Sequence, residues 1–407
     1  MRIADVTIRL AVTGLGIHCA IGKNQREVWD SIVAGRDGIG PLDMFPGETF
    51  PTDIAAQADL DPLVPSGFSR SEAQRLSRTD LLGIRAAGEC WAQANAKGEP
   101  IAPQRVVVSN GTSTGGLLEG EEWFMRRERL GVRHAASSAV LQQPTSGSSG
   151  AIARHLGLGG GVFSNATACA SGGAAIGFAA DLLRSGLADA AIAGGTDALC
   201  RLTYSGFNVL QAVDSKPCRP FDAARQGITL GEGAAYIVIE RWDDAVGRGA
   251  EILAELCGYG ASCDANHPTA PAEDGRGARA AMLGAIRDGR AEGMPIDYVN
   301  AHGTGTLLND SAETNGIIGA VGMGVPVSST KSYFGHTLGA AGGLEAVIAI
   351  LALRHQLAPP TLRLETPAED CTLDYIPKEP RPMHMERVLS NTFGFGGSNV
   401  SLLFRSA

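Results

Sequence analysis

Four side chains able to do acid, base or nucleophilic chemistry sit where apolar, β-branched runs give way to glycine, serine and threonine. Cys169 lies in "NATACASGGAAIG", His302 in "VNAHGTGTLLNDSAE", and Lys331 and His336 in "SSTKSYFGHTLGAAGG". A cysteine before a helix meets unpaired N–H groups and the positive end of the dipole. Both favour the thiolate, so Cys169 is expected to have a lowered pKa and to act as a nucleophile. The same stretch also suits a small buried packing residue. His302, at a strand end, can move protons or hydrogen-bond an oxyanion. His336 precedes a Gly/Ala-rich helix, which is expected to keep its ring neutral. Lys331 reads equally as a solvated loop lysine. A fourth segment, "NTFGFGGSN" from Asn391 to Asn399, can present N–H groups through Gly394, Gly396 and Gly397, or serve as a plain hairpin turn. Taken together, a nucleophile, bases and oxyanion donors describe acyl transfer through a thioester.

Positioning these groups falls to an alternating pattern of elements. "RVVVSNGTSTGG", "DAAIAGGTDA", "AAYIVIE", "IDYVNAHGTGT", "VPVSSTKS" and "RVLSNTFGFGGSNVSLLF" read as buried strands. "AAIGFAADLLRSG", "GRGARAAMLGAIRDG" and "GAAGGLEAVIAILALRHQ" read as helices. The alternation predicts an α/β protein with helices packed on sheets. "LAVTGLG" and "LAELCGYG" each join a strand to Gly-x-Gly and open about half the chain, which reads either as a duplication or as two unrelated strand ends, with a boundary expected near residue 250.

Composition narrows the function further. The 407 residues are 44% hydrophobic and 19% charged, with a net charge of −9. That charge disfavours nucleic acid as a main partner. No signal peptide is apparent, and apolar runs such as "GGLEAVIAILAL" are short for a bilayer, so a cytoplasmic location without membrane partners is expected. The eight cysteines are scattered without a CxxC pair, and neither they nor the histidines show metal-ligand spacing.

The motifs in order resemble the elongating β-ketoacyl-acyl-carrier-protein synthases, condensing enzymes of the thiolase-like superfamily. The resemblance rests on "TACASG" around Cys169, "RPFD" at Arg219–Asp222, "GEGA" at Gly231–Ala234, "AHGTGT", "KSYFGHTLGAAG" and "FGFGGSN". It implies the thiolase fold: duplicated βαβαβαββ halves, residues 1–250 and 251–407, in a five-layered α-β-α-β-α core. It also implies decarboxylative Claisen condensation of an enzyme-bound acyl thioester with a malonyl-acyl-carrier protein, in fatty-acid or polyketide elongation. By this resemblance Cys169 is the acylated nucleophile, and His302 and His336 serve decarboxylation and enolate stabilisation. Lys331 supports them, ion-paired with Glu313. The N–H groups of Cys169 and Phe395 form the oxyanion hole, with Phe395 as the gate. Thr304 and Thr306 bind the phosphopantetheine arm, and Gly396 and Thr114 lie on the substrate side.

No cofactor is implied, because phosphopantetheine arrives on the acyl carrier protein. An acidic carrier needs a basic patch on this acidic chain. "RSEAQRLSR", with Arg70, Arg75 and Arg78, and "RRER", with Arg126, Arg127 and Arg129, are the candidates, unless they are ordinary solvated faces. A dimer is expected, either of two copies or with a related chain-length-factor-like subunit in specialised polyene or polyketide synthesis. The absence of a second cysteine near the C-terminus argues against a degradative thiolase. His336 argues against a Cys-His-Asn enzyme, and Cys169 against a non-catalytic chain-length factor. Two departures touch the pattern: Gln226 stands where the family often has Asp, and Thr114 where many members carry an apolar pocket residue.

Overall fold

The computed structural model describes residues 8–407, apart from the side chains of residues 137–139. The first seven residues of the expected N-terminal half thus lie outside the described residues. The first half supplies β1 (Leu10–Cys19), β2 (Val106–Gly111), β3 (Val162–Asn165), β4 (Ala190–Asp197) and β5 (Gly233–Arg241). The second supplies β6 (Ala254–Cys263), β7 (Tyr298–Asn300), β8 (Val327–Ser328), β9 (Arg387–Gly394) and β10 (Ser398–Arg405). They run in the order β3-β2-β4-β5-β1-β6-β10-β9-β7-β8. Counted from the outer edge inward, each half reads third, second, fourth, fifth, first. The parallel and antiparallel pairings also match strand for strand. The halves meet where Leu10–Val12 pair antiparallel with Ala254–Leu256.

Five helices complete the layers. They are α1 (Arg78–Ala94), α2 (Ser171–Arg184), α3 (Arg276–Asp288), α4 (Leu307–Val321) and α5 (Ala341–His355). Helices α2 and α5 touch each other and lie between the two half-sheets. Helix α1 covers the other face of β1 and β5, and α3 that of β6 and β10, with α4 beside α3. This is the expected α-β-α-β-α order. Because α5 is enclosed by both sheets, it is apolar all round rather than striped. The stretch Leu338–His355 is long and apolar enough to cross a membrane, yet 89% of it is buried inside the protein.

The Gly-x-Gly pairs explain the repeat. They lie within the first strand of each half, not at strand ends. A Cβ on Gly16 would stand 1.9 Å from the Ala86 carbonyl oxygen of α1, and one on Gly260 2.1 Å from that of Ala281 in α3. In both halves the outer helix therefore rests its backbone directly on the strand. The run "RVLSNTFGFGGSNVSLLF" differs from the expected single strand. It folds back as the β9–β10 hairpin, with Gly394 paired to Ser398. Gly396 and Gly397 make the turn at φ of +82° and +79°.

Candidate active site

Cys169 occupies a strained elbow between β3 and α2. The preceding Ala168 has φ +49°, a left-handed conformation that costs a residue with a Cβ. Its carbonyl is held by three donors: the hydroxyls of Ser171 (2.5 Å) and Ser113 (3.0 Å), and the Ser171 N–H (3.1 Å). Small neighbours let other backbone come close. A Cβ on Gly394 would lie 3.1 Å from the Cys169 nitrogen. The hairpin thereby brings the Phe395 N–H to the sulfur, which also takes the N–H of Cys169 itself. The segment "NTFGFGGSN" is a hairpin turn, and its Phe395 N–H faces the thiol.

The expected lowering of the Cys169 pKa does not occur. Burial pushes the thiol up to about 11, against the opposing pull of the Lys331 charge and the Phe395 N–H. Desolvation of the thiolate outweighs the helix end. The resting group is therefore the thiol. Alkylation of the Cys169 peptide by iodoacetamide should accelerate roughly tenfold per pH unit between about pH 7 and pH 10, as the thiolate fraction grows. A plateau already reached at pH 8 in that peptide's mass signal would show the thiol to be lowered, as a helix end alone would make it.

His302 follows β7, and His336 follows a short helical turn, Lys331–Phe334. Their rings meet edge to face, 5.3 Å between centroids. Lys331 is buried rather than solvated. Its Nζ donates to the His302 carbonyl (2.6 Å) and meets His302 Nδ1 at 3.0 Å. The Leu338 N–H donates to His336 Nδ1 at 3.1 Å. With both Nδ1 atoms accepting, each neutral ring carries its proton on Nε2. Burial first, then the Lys331 charge, holds both histidines well below the usual range. His336 is neutral as expected, but by burial rather than by the helix end.

The expected Lys331–Glu313 pair is not formed. The Lys331 ammonium pairs with Glu345 of α5, which is fully buried. Glu313 is occupied by the N–H groups of His302 (2.8 Å) and Gly303 (2.7 Å) and by Asn391 (3.2 Å). It supports the His302 backbone, not the lysine. The second Glu345 oxygen accepts from the Thr392 hydroxyl at 3.0 Å. Burial raises both carboxyls to about 7. Glu345 escaped the sequence reading, although a lone acid inside "GGLEAVIAILAL" was a signal for it.

A cavity of about 300 Å³ gathers Cys169, His302, His336, Phe395, Thr304 and Thr306. The two threonine hydroxyls stand 2.9 Å apart. Their loop is pinned by Asp310, which accepts the Thr304 N–H (2.9 Å) and the Phe221 N–H of "RPFD" (2.8 Å). Phe395 is half-buried and stacks on Phe207, 5.6 Å between centroids. Gln226 is also on the wall. Gly396 is not: it sits exposed at the hairpin tip, its N–H donating to the Pro268 carbonyl.

Thr114 is held by a buried carboxylate. It does not line this cavity, and both its N–H (2.9 Å) and its hydroxyl (2.7 Å) bind Asp197. Buried Asp197 also takes the Gly339 N–H at 2.7 Å, tying β4 to the turn after His336, and it too was missed in the sequence. Arg78 is held by a buried carboxylate too. Its Nε binds buried Glu232 (2.9 Å) and its Nη2 the Ala58 carbonyl (2.6 Å), so it holds the fold together. Arg70, Arg75, Arg126 and Arg127 are exposed, and none of them lines the cavity.

Residues 8–245 match the family described as Beta-ketoacyl synthase, N-terminal domain, and residues 253–365 match Beta-ketoacyl synthase, C-terminal domain. The chain belongs to the β-ketoacyl synthase family. It is 37% identical over 410 residues to 3-oxoacyl-[acyl-carrier-protein] synthase 2 of Synechocystis sp., covering 98% of each chain. Its structure is similar to the ishigamide ketosynthase/chain length factor, with a TM-score of 0.92, 31% identity, and 99% of this chain and 100% of the other covered. It is also similar to AntDE:AntF, a type II PKS acyl-carrier protein in complex with its ketosynthase bound to the hexaketide. That TM-score is 0.89 at 28% identity, covering 98% of this chain and 100% of the other. The thiolase-like fold and the family agree. As a β-ketoacyl synthase the chain is an acyltransferase with 3-oxoacyl-acyl-carrier-protein synthase condensing activity, in fatty-acid or polyketide elongation.

Proposed function

We propose that Cys169 carries the acyl chain and that His302 and His336 drive the carbon–carbon bond-forming half of the reaction. The observation that carries this reading is the convergence of one thiol, two sulfur-directed N–H groups and two Nε2–H imidazoles on one cavity. In the first half, the Cys169 sulfur bonds to the acyl carbonyl, and the carrier's thiol leaves with the proton. The N–H groups of Cys169 and Phe395 stabilise the tetrahedral oxyanion. In the second half, the malonyl carboxylate departs as carbon dioxide and its bonding pair forms an enolate. The two Nε2–H groups donate to that oxygen, the enolate carbon attacks the Cys169 thioester, and the sulfur leaves to be reprotonated.

Thr304 and Thr306 orient the pantetheine arm, and Phe395 gates the acyl channel. The carrier is an acyl carrier protein. Residue 250, in the link between α/β halves, is taken as their boundary. Likeness to the ishigamide ketosynthase/chain length factor supports a second assembly besides a homodimer, with this chain as the acylating subunit.

Incubation with acyl-carrier substrates of varied length should add one acyl mass to the wild-type chain. His336→Ala should still acylate but release carbon dioxide from malonyl-carrier about a hundredfold more slowly, the cost of one oxyanion donor. No acyl mass with any substrate would defeat the first half of the reading. Undiminished decarboxylation in the variant would remove His336 from the second.

A further inference from the structure

The rim of the cavity carries leucines and uncharged polar side chains (Gln211, Gln226 and Thr269) where a basic rim was expected. Leu210, Leu307 and Leu308 line the cavity yet are 54%, 59% and 56% exposed, so they stand at its open end. Beside them, the helix Arg201–Val209 ends in Val209, 82% exposed. Leu202, 63% exposed, is seven residues earlier and so lies on the same face of that helix as Val209. The lining contains Asp264 and Glu313 but no lysine or arginine among the described residues. The cation nearest in sequence, Arg201, is turned away, its guanidinium bound to Glu48 and lying over the Phe45 ring.

Five exposed aliphatic side chains, on the helix Arg201–Val209 with its cap Leu210 and on the first turn of α4, stand at or beside this one opening, and such a grouping is unusual for an uncovered surface. Its position names what covers it. The thioester reaches Cys169 on a flexible arm through this opening, and the protein holding that arm must rest against the rim. The lining itself offers an acidic carrier no cation to pair with, whereas its exposed leucines offer apolar contact.

We infer that Leu202, Val209, Leu210, Leu307 and Leu308 form an apolar collar on which the acyl carrier protein docks. The collar requires a carrier that presents apolar side chains beside its phosphopantetheine arm. This rests on the proposed delivery of acyl groups to Cys169, and adds that the contact is hydrophobic rather than ionic. Exposed charge pairs weaken over a Debye length of roughly 10 Å at 0.1 M salt, while apolar contact does not. Recognition here is therefore insensitive to salt.

The test compares acyl-carrier protein with acyl-pantetheine, a thioester without the protein, in wild type and in Leu202→Gln/Val209→Gln. Neither residue lines the cavity. The variant should raise KM for the carrier substrate about tenfold, the equivalent of roughly 1.4 kcal/mol. Its kcat and its rate with acyl-pantetheine should stay within about twofold, since the chemistry is untouched. Wild-type KM for the carrier should change by less than about threefold between 50 and 500 mM NaCl. An unchanged carrier KM in the variant, or a steep rise of wild-type KM with salt, overturns the collar. A native mass that falls from dimer to monomer in the variant overturns it too, because the face then joins two copies of this chain. If acyl-pantetheine and acyl-carrier both leave wild-type Cys169 unmodified, the delivery reading fails instead.

Discussion

Cys169→Ala should take up no acyl mass and should lose condensation by a factor on the order of 10⁴–10⁶, the scale seen when a covalent nucleophile is removed. The fold should survive, because alanine differs from cysteine only by the sulfur and the elbow does not depend on it. The strained Ala168 is held by Ser113 and Ser171, not by the thiol. No other cysteine among the described residues lines the cavity, so no second thiol can substitute. The variant should nevertheless go on releasing carbon dioxide from a malonyl thioester. Its two imidazoles keep their Nδ1 partners, and those come from Lys331 and the Leu338 amide. Intact mass and carbon dioxide release, measured side by side, separate the half-reactions. Acylation of Cys169→Ala would assign the nucleophile elsewhere. Collapse of both readouts would mean that the sulfur supports the histidines as well as reacting.

How far the sequence speaks for this site depends on where each interaction begins and ends. Cys169, His302 and His336 were legible because each lies in a segment where a strand gives way to glycine, serine or threonine, and chain direction alone sends such segments to one side of a parallel sheet. The duplicated halves were legible through Gly14-x-Gly16 and Gly258-x-Gly260, since only a missing side chain lets a helix backbone lie on a strand. Partner choice was not legible. Lys331 is 18 residues from Glu313 and 14 from Glu345, and nothing local says which carboxyl is free. Packing decides it: the His302 and Gly303 amides consume Glu313, while α5 passes between the sheets and delivers Glu345 to the ammonium. Arg78 was misread for a similar reason. In the sequence it belongs to a basic surface stretch, but it is also the first residue of α1, and that position turns its side chain onto Glu232. The Cys169 pKa went the other way because a helix end can be read from sequence and the depth of burial cannot.

The buried Lys331–Glu345 pair carries two jobs that a pair of variants can pull apart. Lys331→Ala leaves the Glu345 carboxyl in the core with Thr392 as its remaining partner. Removing one member of a buried ion pair costs about 3–5 kcal/mol of stability. It also removes the donor to His302 Nδ1, so the ring is free to carry its proton there and present an acceptor to the enolate oxygen. The stability loss should depend on pH with a definite sign. In the native protein the Glu345 carboxyl sits at about 7, above its ordinary 4.5. Such a raised group favours the folded state below its unfolded value, and that contribution disappears as pH rises through 7. Without the ammonium the carboxyl rises further, so the gap between wild type and Lys331→Ala should widen from pH 6 to pH 8 in denaturant titrations. Lys331→Ala/Glu345→Gln removes the charge that has lost its partner, and should recover most of the stability and nearly all of that pH dependence. It should not recover decarboxylation, which stays about a hundredfold down because the His302 tautomer is still unfixed. Recovery of both would reduce Lys331 to a counter-ion for Glu345. Recovery of stability alone makes it the group that points the His302 proton at the substrate.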